Sequence, residues 1–198
     1  MSTEGNKAEN KVEFGLRNAH YAPVTIDETA NKMTFGTPVK IPGAVTLTLN
    51  ASGDMIRFKA DDIDYYTNAN NQGYEGTLTL ARVSDKFRQE ILGEELTEGG
   101  VLIENADAQT KNFALLFEFQ GDKKGIRHVL YFCSANRPNI SSKTKDGADP
   151  NTSELSIVAG PRPDNNIVKA KTTVGVSDEI YNGWYTAVYE KGSEVEAA

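Results

Sequence analysis

The sequence holds one cysteine, Cys133, and two histidines, His20 and His128. A single thiol excludes an internal disulfide framework and any cysteine-rich zinc site. Two imidazoles argue against a histidine-rich metal centre. No apolar run approaches the roughly 20 residues of a membrane-spanning helix. The opening stretch, Met1 to Glu13, is polar and mixed in charge, unlike a secretory signal. There is no Walker loop, no GxGxxG and no HExxH motif. Cations are scarce: 21 Lys and Arg stand against 28 Asp and Glu, a net charge of −7 over 198 residues. That balance excludes nucleic-acid binding by bulk charge, which needs clustered cations. The expectation is a soluble, acidic protein from a reducing compartment, with one domain or one domain with arms. At this size folding removes roughly 70% of the unfolded chain's surface from water, enough for a core.

What is present is short alternating runs between 17 Gly and 7 Pro, the signature of strands. Val12, Phe14 and Leu16 alternate with polar or small residues, as do Val45, Leu47 and Leu49, and Leu78 with Leu80. Phe113, Leu115, Phe117 and Phe119 form one face of a longer strand. Its other face carries Ala114 and Leu116, so this strand is expected to be central and covered on both sides. Ile126–Ala135 reads similarly, Leu155–Ala159 is a shorter case, and Gly121–Gly125 reads as the hairpin turn between the two long strands. Two helices are expected. One runs about 84–92, with Ser84 as N-cap, Gly93 as stop, and Phe87 and Ile91 on one face. The other runs about 177–188, capped by Ser177, with Ile180, Trp184 and Val188 at spacing four. Gly183 weakens it by about 1 kcal/mol relative to Ala. Asn50–Tyr74 reads as a long functional connection and Ser141–Ser153 as a polar loop. Residues 1–10 and 190–198 read as an N-terminal arm and a C-terminal tail around a domain spanning 11–189.

Catalytic constellations are thin. Asp61/Asp62 and Glu94/Glu95 are paired carboxylates, but neighbours on a strand point to opposite faces. By regular alternation, His128 and Cys133 fall on opposite strand faces, against a nucleophile pair. Cys133 reads as buried and inert. Charge is segregated: Ser84–Asp122 holds nine acidic and three basic residues, whereas Lys123–Lys145 holds six basic and none acidic. Two solvated faces that attract each other within the monomer is the first reading. Complementarity between identical subunits is the second. Tyr65, Tyr66 and Tyr74 lie among Asn68, Asn70, Asn71 and Gln72. They read as a sugar-stacking platform, an assembly surface, or a loop folded onto its own domain; composition does not rank these.

Several stretches taken in order carry a resemblance. They are Glu9–Asn10–Lys11–Val12 with Phe14–Gly15–Leu16, His20–Tyr21–Ala22, Ile41–Pro42–Gly43–Ala44, and Gly73–Tyr74–Glu75–Gly76. Gly100–Val101–Leu102–Ile103–Glu104–Asn105–Ala106–Asp107–Ala108–Gln109 is the most specific. Phe113–Phe119, Arg127–Tyr131, Pro161–Asp164, Val168–Thr173, Trp184 and Val188–Tyr189 complete the set. Across about residues 9–189 the chain resembles the major tail proteins of long, non-contractile-tailed phages (siphophages) of Gram-positive bacteria.

The resemblance implies a mainly β tail-tube fold with a flanking α-helix: two packed β-sheets forming a sandwich or barrel that joins its neighbours into a ring. It implies hexameric rings stacked into a hollow tube, grown around a tape-measure protein between a tail initiator or distal tail protein and a tail terminator. Such a tube is assembled in the host bacterial cytoplasm, becomes part of the virion tail, and passes DNA without binding it. No enzyme activity, catalytic residue, cofactor, metal or membrane partner is implied. Asp61, Asp62, Tyr65, Tyr66 and Tyr74 are then expected at the ring-stacking interface. Glu94, Glu95, Lys123, Lys124 and Arg127 are expected to supply charge complementarity between subunits. Some carboxylates are expected to line the bore, because a basic lumen would hold duplex DNA. The rivals are another ring-forming tail or secretion-tube protein of the same fold and a carbohydrate-binding β-sandwich.

Overall fold

A computed structural model describes residues 9–144 and 150–192. Most of the expected N-terminal arm and C-terminal tail, and Lys145 of the polar loop, lie outside the described residues. Strand β1 spans Glu13–Asp27, β2 Lys32–Phe35, β3 Val39–Lys40 and β4 Ala44–Ser52. Strands β5 (Met55–Ala60) and β6 (Ile63–Ala69) form a separate hairpin, followed by β7 (Gly73–Leu80). Next come β8 (Glu95–Leu96), β9 (Leu102–Ile103), β10 (Phe113–Gly121), β11 (Ile126–Ala135), β12 (Ser153–Gly160) and β13 (Lys169–Lys171). Helix α1 begins at Asp85–Phe87 and continues as a π-helical turn over Arg88–Leu92; helix α2 is Asp178–Gly183.

The main sheet runs β2–β1–β10–β11–β12–β7–β4, with β3 on β1 and β13 on β11, and every pairing is antiparallel. It curls so that β1–β10–β11 packs over β12–β7–β4. The core between them gathers Tyr21, Leu78, Leu80, Phe113, Leu115, Leu130, Leu155 and Ile157. Curvature has a local cause. Gly15 and Asn18 take left-handed backbone (φ 65° and 54°), and the pairing of β1 with β10 slips at both places. Such bulges bend a strand and raise its twist.

Strand β10 is buried along both faces, as its double apolar pattern predicts. One face meets α1, whose Phe87 ring packs edge-on against Tyr21 at 5.0 Å and Phe113 at 5.5 Å. Ser84 Oγ accepts the Phe87 N–H at 3.2 Å, and Gly93 ends the segment in left-handed conformation. The other face forms a second core. There Ala114, Leu116, Val129 and Tyr131 are covered by Trp184 and Val188.

Three expectations change. Asn50–Tyr74 is not a loop but four strand segments, the end of β4, the β5–β6 hairpin and the start of β7. The sequence shows only a weak alternation there (Ile56, Phe58, Ala60), and every residue of β5 except Ala60, and all of β6, is exposed. The second helix ends at Gly183, and the Trp184–Val188 spacing is met by further turns, with the Thr186 and Ala187 N–H groups donating to Gly183 O. Asn10, placed in the arm, instead clamps the β10–β11 turn. Its Nδ2 donates to Lys124 O at 2.7 Å, and its Oδ1 accepts the Lys123 and Lys124 N–H groups at 3.2 Å.

Candidate assembly surfaces

The β5–β6 hairpin extends β4 and β7 away from both cores. Its tip is the two-residue turn Asp61–Asp62, both with positive φ (51° and 62°). A turn with two left-handed residues suits the twist of a hairpin, and Asp tolerates it. The paired carboxylates therefore have a conformational reason to be adjacent. Cross-strand pairing puts Phe58 opposite Tyr66, Ile56 opposite Asn68 and Ala60 opposite Ile63. Directly opposed residues share a face. One face of the arm thus carries Ile56, Phe58, Ala60, Ile63, Tyr66 and Asn68 and is mainly apolar, and the other carries Arg57, Lys59, Asp64 and Thr67 with Met55 and Ala69 at its base. The Arg57–Asp64 pair, at 4.0 Å, lies on that second face. Tyr65 sits at the register slip opposite Phe58–Lys59.

The apolar face is uncovered. Phe58 is 59% exposed, Ile63 61%, Tyr65 69% and Tyr66 54%. A lone two-stranded hairpin is at best marginally stable in water, and contiguous exposed apolar surface marks an interaction site. Sequence reading found the tip aspartates and two tyrosines but missed Ile56, Phe58 and Ile63 as functional. The period-two spacing of Ile56, Phe58 and Ala60 was the available signal; Ile63 joins that face only through its pairing with Ala60 across the turn.

Tyr74 is not part of this arm. It lies on β7, half-buried, in the wall of an open cavity of about 280 Å³. Leu47 and Leu49 of β4, Phe117 and Phe119 of β10, and His128 of β11 form the rest of the wall. Lys169 stands at the wall with its ammonium 4.5 Å from the Tyr74 ring centre. His128 stacks on Phe117 at 5.0 Å and its buried Nε2 has no hydrogen-bond partner. Burial, followed by the charges of Lys171 and Lys169, pushes its pKa down to about 4. Tyr65 and Tyr66 thus sit on β6 of the arm and Tyr74 on β7 in the cavity wall, so the three form no joint sugar platform.

His128 and Cys133 share the sheet face that looks into the first core, contrary to regular alternation. Between Leu130 and Cys133 the strand carries one extra residue relative to β10, which flips the parity. Cys133 is fully buried, and burial pushes its thiol up to about 12, so it is inert.

The charge residues divide. Arg127 and Arg17 both bind Glu118, at 2.9 Å and 2.6 Å, and Glu118 is only 1% exposed. Burial pushes the Glu118 carboxyl up, but hydrogen bonds from Arg127, Arg17 and Asn18 outweigh it and hold the pKa below normal. The Arg127 guanidinium also lies 3.7 Å over the Tyr181 ring and donates to Tyr181 O. Lys124 pairs with Asp178 at 3.9 Å, which joins α2 to the β10–β11 turn. Glu94 is buried against Arg88 at 2.7 Å. Arg127, Lys124 and Glu94 are therefore engaged within the subunit. Attraction inside the monomer is realised at Glu118–Arg127 and Glu104–Arg137. Glu95 remains exposed on β8, and Lys123 gives its backbone N–H to Asn10.

Among the described residues no cluster of His, Cys, Asp and Glu is placed to hold a metal. No described helix is long and apolar enough to cross a membrane. A curled antiparallel sheet with an exposed apolar arm defines the class: a structural β protein built for assembly. The family model described as phage tail tube protein matches residues 7–191, so the chain belongs to the phage tail tube protein family. It is a structural component of the virion tail and not an enzyme. Among solved structures, the chain is similar in fold to the anti-feeding prophage cap, a tube-terminating cap, at TM-score 0.51 and 8% identity. That match covers 88% of this chain and 100% of the cap chain. Among curated proteins none matches.

Proposed function

We propose that the protein is the major tail protein of a siphophage and polymerises as stacked hexameric rings into the hollow tail tube. The tube grows around a tape-measure protein in the host cytoplasm, between an initiator or distal tail protein and a terminator. DNA passes through it during delivery to the host. The observation that carries this reading is the β5–β6 arm, with Ile56, Phe58, Ile63 and Tyr66 exposed on one face and no core of its own. Asp61, Asp62, Tyr65 and Tyr66 belong to this stacking element, and Tyr74 to the surface that receives it. The free edge of β4, nine residues long, supports ring closure. An exposed edge invites pairing and is blunted when sheets of neighbouring subunits close on one another.

The test is deletion of residues 54–70. Ser52 and Gly73 are already paired, so Gly53, Asn71 and Gln72 make a short turn in place of the arm. The expected product is a folded monomer, with near-wild-type thermal unfolding, that forms no tubes by negative-stain electron microscopy in the presence of tail initiator. Tubes of unchanged length distribution would remove the arm from ring stacking.

A further inference from the structure

The exposed face of the arm and the open cavity beside β4 are complementary in chemistry and charge. The arm presents Phe58 and Tyr66 as a directly opposed aromatic pair. The cavity walls are Leu47, Leu49, Tyr74, Phe117, Phe119 and His128, and its volume is about 280 Å³. An apolar cavity of roughly 150 Å³ is enough to hold a benzene ring, so this one admits an aromatic side chain. His128 is part of that wall, and its Nε2 is buried without a partner. A buried polar atom left unpaired costs about 1–3 kcal/mol, and a phenol is a group that pairs with imidazole nitrogen. Tyr66 carries that phenol on the same face as Phe58.

Charge points the same way. The arm between Asp54 and Asp64 has four carboxylates (Asp54, Asp61, Asp62, Asp64) and two cations (Arg57, Lys59). The cavity has Lys169 in its wall, and Lys171 is close enough to act on His128. Both lysines are on β13 and both are exposed.

We infer that the arm's apolar face seats in this cavity of a second copy of the chain, with Phe58 and Tyr66 entering between β4–β7 and β10–β11 and the Asp61–Asp62 tip facing Lys169 and Lys171. The inference rests on the tube-subunit reading and deepens it by naming the receiving site. It also accounts for Tyr74: the residue lies outside the arm because it belongs to the socket. The pairing is heterologous, arm to cavity, so it propagates from ring to ring and does not close on itself as a two-fold dimer would.

The experiment is cysteine cross-linking in assembled tubes. The native Cys133 is buried and silent. The double variant Phe58→Cys with Leu49→Cys, oxidised mildly after assembly, is expected to give a ladder of covalent multimers in denaturing gels, whereas each single variant gives monomer. Should Leu49→Cys impair folding, Lys169→Cys at the exposed wall replaces it. In parallel, Lys169→Glu with Lys171→Glu is expected to raise the concentration needed for assembly about tenfold or more at low salt, by placing like charges opposite the tip. Normal tubes that yield no ladder from either cysteine pair, while the arm deletion still abolishes tubes, would overturn the socket and leave the stacking role intact. Tubes unaffected by the arm deletion would overturn both.

Discussion

His128 is kept neutral by its surroundings. It is stacked on Phe117, touches Phe119, and faces the charges of Lys169 and Lys171 on the neighbouring strand. Its folded pKa is about 4, against about 6.5 in an unfolded chain. Between those values the unfolded state binds the extra proton, so stability is full above pH 6.5 and falls as the pH drops towards 4. The difference corresponds to roughly 3 kcal/mol. His20 is also lowered by burial and contributes in the same direction. His128→Phe keeps a ring against Phe117 and removes the titration. Urea unfolding of the monomer between pH 4 and 6.5 should then show a clearly shallower loss of stability with falling pH. An unchanged slope would mean that His128 is solvated or already protonated in the folded protein. At this scale the sequence misled in one instructive place. Parity along a strand put His128 and Cys133 on opposite faces, and one inserted residue in β11 reversed that. Bulges depend on how a partner strand bends, which a single segment does not encode.

Elements were legible in proportion to how their side chains divide between a buried and an exposed face. The strands around Leu78 and Leu155 were visible because alternation maps onto burial, those around Phe113 and Ile126 because both of their faces are largely apolar and covered, and α1 because Ser84, Phe87, Ile91 and Gly93 all agree. The arm was read as a loop because no side chain of its two strands is buried within its own subunit. Its apolar face is exposed like its polar one, so the expected contrast between buried and solvated sides is absent. The C-terminal segment lies between these cases. Its Ser177 cap and apolar spacing were readable, but not the way it straps the second core. Trp184 is 3% exposed, stacks on Tyr189 at 5.5 Å, and gives its indole N–H to His128 O at 3.4 Å. Tyr131 Oη donates to Tyr189 O at 2.8 Å, and Arg162 pairs with Glu190 at 3.0 Å. Trp184→Ala removes the main plug from the outer face of β10 and β11 and should cost about 3–5 kcal/mol, as large-to-small core changes do. Thermal unfolding of the monomer measures it. A loss under 1 kcal/mol would show that the strap is not anchored there. The partners of the charged residues were illegible for a related reason. Glu94 and Arg127 have short, buried routes to Arg88 and Glu118, and a buried charge takes the nearest good partner.

For the whole molecule, the proposed tube raises the question of which surface would face passing DNA. Strands β4, β7 and β12 lie side by side and contain no Lys, Arg or His. Their outward positions carry Thr46, Thr48 and Asn50 on β4, Glu75, Thr77 and Thr79 on β7, and Glu154, Ser156 and Val158 on β12. This face is hydroxylic, mildly acidic and free of cations, whereas the opposite half of the molecule holds the Arg17–Glu118–Arg127 cluster and the C-terminal strap. A wall that must let a polyanion slide needs polar groups that wet it and no cations that release counterions from DNA and hold it. This face meets that requirement, and we place it towards the bore. Acidity was legible in the net charge of −7, but its role was not, because the composition does not say where cations are missing. Register pairs Thr48 with Thr77 and Thr77 with Ser156, one row across three strands. Replacing all three by Lys leaves both cores untouched and lays a cationic band across the row in every subunit. Phages carrying this triple variant should assemble tails of normal width and length. Their genome release, followed with a DNA-binding dye, should slow by about tenfold or more at low salt and recover as salt is raised. Release at the wild-type rate from normal tails at low salt would place this face away from the bore. Failure of the variant to form tubes, with its monomer still folded, would place it in a subunit contact instead.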